Sequence, residues 1–223
     1  EFSIRDLNYD DPDTYKMLGQ GDTEGVFQLE SSGMKQVLVG LQPQNLEDVI
    51  ALISLYRPGP MDSIPTYLRN RHEPDKISYK TPRLAHILDV TNGCIVYQEQ
   101  VMQIFRELAG FSFGQADNVR RAMSKKKHAV MEAEREHFVH GCTEPGHECP
   151  GCVANGIPEQ VANQIYDEMS SFASYAFNKS HAACYAYVAF QTAYLKCHYP
   201  SQFMAALLTS VLDNTDKVIE YSG

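Results

Sequence analysis

The chain has 223 residues, 43% of them apolar, and 28 acidic against 19 basic side chains give a formal charge of −9. That is apolar material enough for a sizeable core, which excludes a disordered chain, and the net charge argues against a protein that coats nucleic acid over its whole surface. No run approaches roughly eighteen apolar residues and no charged-then-apolar leader opens the chain, which predicts a soluble, non-secreted, cytoplasmic protein with no membrane partner.

The first residues, EFSIRDLNYDD, and the last, Tyr221-Ser222-Gly223, read as cuts through a longer chain. Asp11-Pro12 predicts a helix start, an acidic cap followed by proline in the first turn, leading into TYKML. Gly25 to Glu30, GVFQLE, is expected to be extended. Helices are expected over Gly33–Leu41 and Leu46–Tyr56, the second ended by the rigid loop Arg57-Pro58-Gly59-Pro60. Met61 to Pro82 reads as loop with one short helix. Further helices are expected over Val96–Ala109, Phe113–Lys126, Ala129–Val139, Pro158–Ser171, Ser180–His198 and near Gln202–Leu212. The fold class is therefore mainly α, with few short strands and no internal repeat. In Ser180–His198, Ala182, Ala186, Ala189 and Ala193 form a small-residue line, and Tyr187, Phe190 and Tyr194 an adjacent stripe expected in a core.

Two constellations carry chemistry. In GQADNVRRAMSKKK, Arg120, Arg121, Lys125, Lys126 and Lys127 place five cations in eight residues. Arg121 and Lys125 are four apart, so they share a helix face and suit an anion, the guanidinium fork matching phosphate oxygens. A solvated basic helix end that complements the macrodipole is the plainer alternative. In SYAFNKSHAACYAY, Asn178 and Ser180 are both possible caps, placing Lys179, Ser180 and His181 at the positive end of a long helix, a ready anion site. Plain capping beside a solvated lysine is the alternative there.

Three of the six cysteines and two of the eight histidines crowd into HGCTEPGHECPGC, His140 to Cys152. Cys149-Pro-Gly-Cys152 has the spacing of a metal knuckle. Cys142, with His147 or His140, would complete a closed tetrahedral Zn²⁺ shell, structural rather than catalytic. The remaining cysteines, Cys94, Cys184 and Cys197, stand alone and are expected to behave as small buried hydrophobes, so disulfides are not expected.

Taken in order, FQLES…GM, RPGP, YQEQVMQI, RRAMSKKK, FNKSHAACYAYVAFQTAYLK and YPSQFMAALL resemble the fingers domain of the bacterial C-family replicative polymerases, the DnaE type of DNA polymerase III alpha subunit. The resemblance runs from about Leu7 to Val218. It implies an irregular multi-helix fingers domain over 25–223, a junction from a missing palm over 1–24, and an accessory Cys/His insert over 140–156 where the family usually has a plain linker. It implies a fragment of a DNA-directed DNA polymerase, inactive alone, with the Mg²⁺-binding catalytic aspartates on the palm outside this chain. Asp10 and Asp11 are given no catalytic role. The resemblance places Arg120 and Arg121, and more weakly Lys125, against the incoming triphosphate. It places Phe177, Asn178, Ser180 and His181 against sugar and base, His181 being the candidate for excluding ribonucleotides. Lys179 would reach phosphate or solvent, and Arg57 would contact nucleotide or template, or brace its loop. Expected partners are template-primer DNA, a deoxynucleoside triphosphate, the palm, and replisome subunits such as a sliding clamp. The competing reading is a non-enzymatic, zinc-stabilised module that binds nucleic acid or protein.

Overall fold

The computed structural model describes residues 2–125, 128–173 and 175–222. Among them are thirteen α-helices, α1 (Pro12–Gly19), α2 (Ser32–Leu41), α3 (Leu46–Leu55), α4 (Ile64–His72), α5 (Ala85–Leu88), α6 (Gln98–Ala109), α7 (Phe113–Ser124), α8 (His128–His140), α9 (Gly151–Ala154), α10 (Glu159–Ala173), α11 (Lys179–His198), α12 (Pro200–Ser210) and α13 (Thr215–Ser222). The few short strands expected from the sequence are absent among the described residues. In their place are two isolated bridges, Tyr97 with Phe177 and Cys142 with Cys149.

The chain forms two compact units, one of residues 1–56 and 180–223, the other of 57–179.

In the first unit Asp11 caps α1, its carboxylate accepting from the Thr14 backbone N–H at 2.9 Å and the Thr14 hydroxyl at 2.6 Å, with His198 Nε2 at 2.9 Å. Burial pushes the Asp11 carboxyl up, but those partners outweigh it and hold it below its ordinary range. GVFQLE is not extended. It is a run of turns in which the Thr23 hydroxyl donates to the Leu29 carbonyl at 2.6 Å and Gln28 takes a positive φ of 65°. Two backbone turns, Val26 N–H to the Thr23 carbonyl at 3.0 Å and Leu29 N–H to the Val26 carbonyl at 3.1 Å, together with the Thr23 side chain, fold back what alternation in sequence would leave straight. The alanine line of α11 is fully buried. Its aromatic stripe divides: Phe190 is buried against Tyr15, at 5.0 Å between ring centroids, whereas Tyr187 is 44% exposed. Cys184 is also exposed rather than buried.

The second unit is built on one core in which Phe105 of α6, Phe138 of α8 and Tyr166 of α10 pack with Phe111, ring centroids 5.0–6.0 Å apart. The helix ends are set by side chains. Gln100 Oε1 accepts from the Val96 and Tyr97 backbone N–H groups, both at 2.9 Å, ahead of α6. Ser112 and Gln115 form a reciprocal capping box on α7. Gly110, at φ 77°, ends α6. These caps fix both ends of α6 and the start of α7, which together carry the site.

Candidate nucleotide-contact site

Four consecutive residues, Tyr97-Gln98-Glu99-Gln100, gather the second unit's chemistry-bearing segments. Tyr97 bridges to Phe177 in parallel, with Gln98 N donating to the Phe177 carbonyl at 2.9 Å and Phe177 N to the Val96 carbonyl at 3.2 Å. The Gln98 side chain donates to the Ala176 carbonyl at 3.1 Å and accepts from Arg120 Nη1 at 3.0 Å. Glu99 accepts from Asn178 Nδ2 at 2.8 Å and from the Lys179 backbone N–H at 3.1 Å to Oε2. The Lys179 ammonium stands 5.2 Å from the Tyr97 ring centroid. The basic segment and the FNK part of FNKSH, nearly sixty residues apart in sequence, are thus joined through two side chains of one helix turn.

Between them lies a recess of about 480 Å³, lined among others by Gln98, Glu99, Arg106, Glu107, Phe113, Asp117, Arg120 and Asn178. That volume is in the range that holds a nucleotide-sized ligand. Its charge is not that of a positive wall. Three carboxylates, from Glu99, Glu107 and Asp117, face two guanidiniums, from Arg106 and Arg120. Asp117 takes both expected arginines: Oδ1 accepts from Arg120 Nε at 3.0 Å and Nη2 at 2.7 Å, and Oδ2 accepts from Arg121 Nε at 2.8 Å. The Arg120 hydrogen bond is the main cause that lowers the Asp117 carboxyl below its ordinary value, helped by the charges of both arginines.

The structure brings Arg120 and Asn178 to one recess, with Lys179 bonded at its rim through Glu99. Arg121 is mostly exposed, and Lys125, also exposed, closes α7 through its N–H to the Arg121 carbonyl at 3.1 Å. Lys126 and Lys127 lie outside the described residues. Ser180 and His181 belong to the other unit and are exposed on the first turn of α11, the His181 ring 4.7 Å from that of Tyr185. The start of α11 was expected to offer its N–H groups to an outside anion. The Lys179 N–H is instead taken by Glu99, an acid placed where the helix dipole favours one.

Arg57 braces its loop. Its guanidinium lies 4.1 Å over the Phe177 ring centroid and donates to the Tyr175 carbonyl at 2.7 Å. Gly59, at φ 104°, packs on the Tyr175 ring, where an added Cβ would sit 2.3 Å from Cδ1. RPGP thereby holds the segment that precedes Asn178.

Cys142 and Cys149 exchange both backbone hydrogen bonds, each 2.9 Å. Gly141 and Gly151 meet back to back: a Cβ on Gly151 would lie 2.3 Å from Gly141 N. Cys149 and Cys152 are buried in the core, and burial pushes the Cys152 thiol up to about 12. His147 is exposed on the tip and lines a small recess with His137 and Glu134. Among the described residues no three His, Cys, Asp or Glu side chains stand together as a metal-holding group, so Cys142, His147, Cys149 and Cys152 are not gathered into one shell in this conformation.

The residues that sequence reasoning missed are Gln98, Glu99 and Asp117. Asp117 had a readable signal, since it lies three and four residues before the two arginines, the spacing of helical ion pairs. Gln98 and Glu99 act across about eighty residues and had none.

Residues 1–146 match the family model described as the bacterial DNA polymerase III alpha subunit finger domain. The chain is 51% identical over 220 residues to the DNA polymerase III subunit alpha of Thermus aquaticus, covering 96% of this chain and 17% of that protein. It is 45% identical over 217 residues to the DNA polymerase III subunit alpha of Staphylococcus aureus strain Mu50, covering 97% of this chain and 19% of that protein. It therefore spans less than a fifth of the length of these curated relatives. No helix among the described residues is long and apolar enough to cross a membrane.

Proposed function

Because the chain belongs to the family of bacterial DNA polymerase III alpha subunit finger domains, we propose that it binds the incoming deoxynucleoside triphosphate and the template-primer within a replicative DNA-directed DNA polymerase. The observation that carries this reading is the meeting of Arg120 and Asn178 at one nucleotide-sized recess, tied together by Gln98 and Glu99. Arg120 binds triphosphate oxygens in bidentate fashion, with Arg121 and Lys125 adding charge from the exposed side. Phe177, Asn178, Ser180 and His181 contact sugar and base, and a bulky imidazole at the 2′ position excludes ribonucleotides. Lys179, its N–H anchored by Glu99, adds charge near the phosphates.

Template-directed extension needs two divalent metals to align the primer hydroxyl and the pyrophosphate leaving group. Those metals we assign, as the resemblance implies, to a palm outside this chain. The domain's own contribution is to hold and orient the triphosphate. The replisome partners of the whole polymerase, a sliding clamp among them, and a cytoplasmic location belong to this same proposal.

The test is single-nucleotide incorporation by the full-length polymerase. Arg120→Ala should raise KM for the triphosphate by ten- to a hundredfold on the order of a lost charge-assisted contact of about 1.5–3 kcal/mol. An unchanged KM would remove Arg120 from the site.

We also propose a structural zinc on the insert, ligated by Cys142, His147, Cys149 and Cys152. The backbone pairing of Cys142 with Cys149, three residues before Cys152, supports it. Ligation requires the two buried thiols to turn toward the exposed loop and His147 to fold over them.

A further inference from the structure

Asp117 is the acid nearest to the proposed phosphate contacts, and its geometry is that of a substitute phosphate. One oxygen takes two nitrogens of Arg120, the other takes Arg121, and the distances are 2.7–3.0 Å. Both guanidiniums are thereby pre-paired to a single anion. Arg120 has a second, uncharged anchor, Gln98 Oε1 at 3.0 Å, which in turn is fixed to the Ala176 carbonyl through its own amide. Releasing Asp117 therefore leaves Arg120 aimed into the recess, while Arg121, exposed, is free to follow a new anion. Asp117 itself has a short side chain, 23% exposed, that can rotate toward water.

We propose that Asp117 is an internal competitor of the incoming triphosphate: it holds Arg120 and Arg121 while the site is empty and surrenders them when a polyphosphate arrives. The proposal rests on the nucleotide-binding reading above and deepens it by naming what the triphosphate displaces. A ligand must outbid a carboxylate that is already well placed. Every phosphate ligand that uses the two arginines displaces the same carboxylate, so Asp117 weakens all of them by a common factor and keeps the arginines paired while the site is empty. The carboxylate excess of the recess points the same way, since an anion entering beside Glu99, Glu107 and an undisplaced Asp117 would meet net repulsion.

The experiment is steady-state single-nucleotide incorporation by the full-length polymerase carrying Asp117→Asn, with Asp117→Ser as a second neutral variant, Asp117→Glu as the charge-retaining control and Arg120→Ala alongside. Inorganic pyrophosphate and tripolyphosphate serve as inhibitors. The loss of a partly exposed ion pair, about 1 kcal/mol at most, corresponds to roughly fivefold. The expected result is a threefold to about fivefold fall in triphosphate KM for both neutral variants. The inhibition constants for pyrophosphate and tripolyphosphate should fall in proportion, Asp117→Glu should stay near wild type, and Arg120→Ala should raise KM. If Arg120→Ala raises KM but the neutral variants leave it unchanged or raise it, Asp117 only orients the arginines and the competitor role is overturned while nucleotide binding stands. If Arg120→Ala leaves KM unchanged, the binding reading fails and the competitor role falls with it.

Discussion

The carboxylate of Glu99 rests on the backbone N–H of Lys179, at 3.1 Å from one oxygen and 3.3 Å from the other, so the first turn of α11 is capped by an acid eighty residues away. The same carboxylate holds Asn178 Nδ2. Replacing it with alanine removes the acceptor of both donors. Glu99→Ala should cost about 1 kcal/mol, the usual loss of an N-terminal cap. Amide exchange at Lys179 should quicken while exchange in the core of α6 stays slow. Unaltered exchange at Lys179 would mean that Glu99 caps nothing.

Arg57 separates bracing from substrate contact. Its stack on Phe177 and its bond to the Tyr175 carbonyl both need a planar guanidinium. Arg57→Lys should therefore lower the thermal midpoint, by an amount corresponding to about 1–2 kcal/mol. Affinity for primer-template should hardly change at low temperature. A loss of DNA affinity with an unchanged midpoint would make Arg57 a template contact instead.

Much of this architecture was legible in the sequence, and for local reasons. α1, α2, α3, α6 to α8 and α10 to α12 fall within a few residues of where periodicity and caps place them, because Asp11-Pro12, Ser112 with Gln115, Gly110 and Pro200 act within one turn, whereas the one-turn α9 inside the Cys/His insert was not expected. GVFQLE was misread because its shape is set by two backbone turns and by Thr23 reaching Leu29, bonds that alternation does not encode. α13 was missed although Asn214 caps it, its Oδ1 accepting from the Lys217 backbone N–H at 3.1 Å. At the site, the arginines and FNK were readable and their partners were not. Gln98 and Glu99 sit in an ordinary amphipathic helix, and only tertiary pairing gives them work. The basic segment looked unopposed because the cations were counted from Arg120 onward, one turn past Asp117.

The insert makes two separable claims. Gly151, at φ 78°, lies so close to Gly141 that Gly151→Ala should destabilise the second unit by about 1–3 kcal/mol with or without metal. The zinc proposal predicts about one zinc per chain by elemental mass spectrometry, lost in a Cys149→Ser, Cys152→Ser double variant. Zinc-free, reduced and fully folded protein would assign the order of the insert to its backbone pairing and buried thiols alone.

Part of the acid sensitivity of the first unit should lie with Glu24, whose ion pair is partly exposed, beside that of the capping Asp11. The hydrogen bond from Lys35 lowers its carboxyl from the ordinary 4.5 to about 2, with the charges of Lys35 and Lys196 assisting. A depressed carboxyl contributes stability that is complete above its ordinary value and disappears as pH falls through the folded one. An acid titration of helicity should therefore show a loss between about pH 4.5 and 2 that is smaller in Glu24→Gln. An identical acid limb in the variant would place the sensitivity elsewhere.

The central claim, that Arg120 at the recess receives the triphosphate, is tested most directly by equilibrium binding rather than turnover. Full-length polymerase on a primer ended with a dideoxynucleotide binds the next complementary triphosphate without extending it, and Kd can be read for wild type and Arg120→Ala. The account predicts a Kd weakened by about tenfold or more for the variant, with primer-template affinity unchanged. Equal Kd values for the two proteins would contradict it.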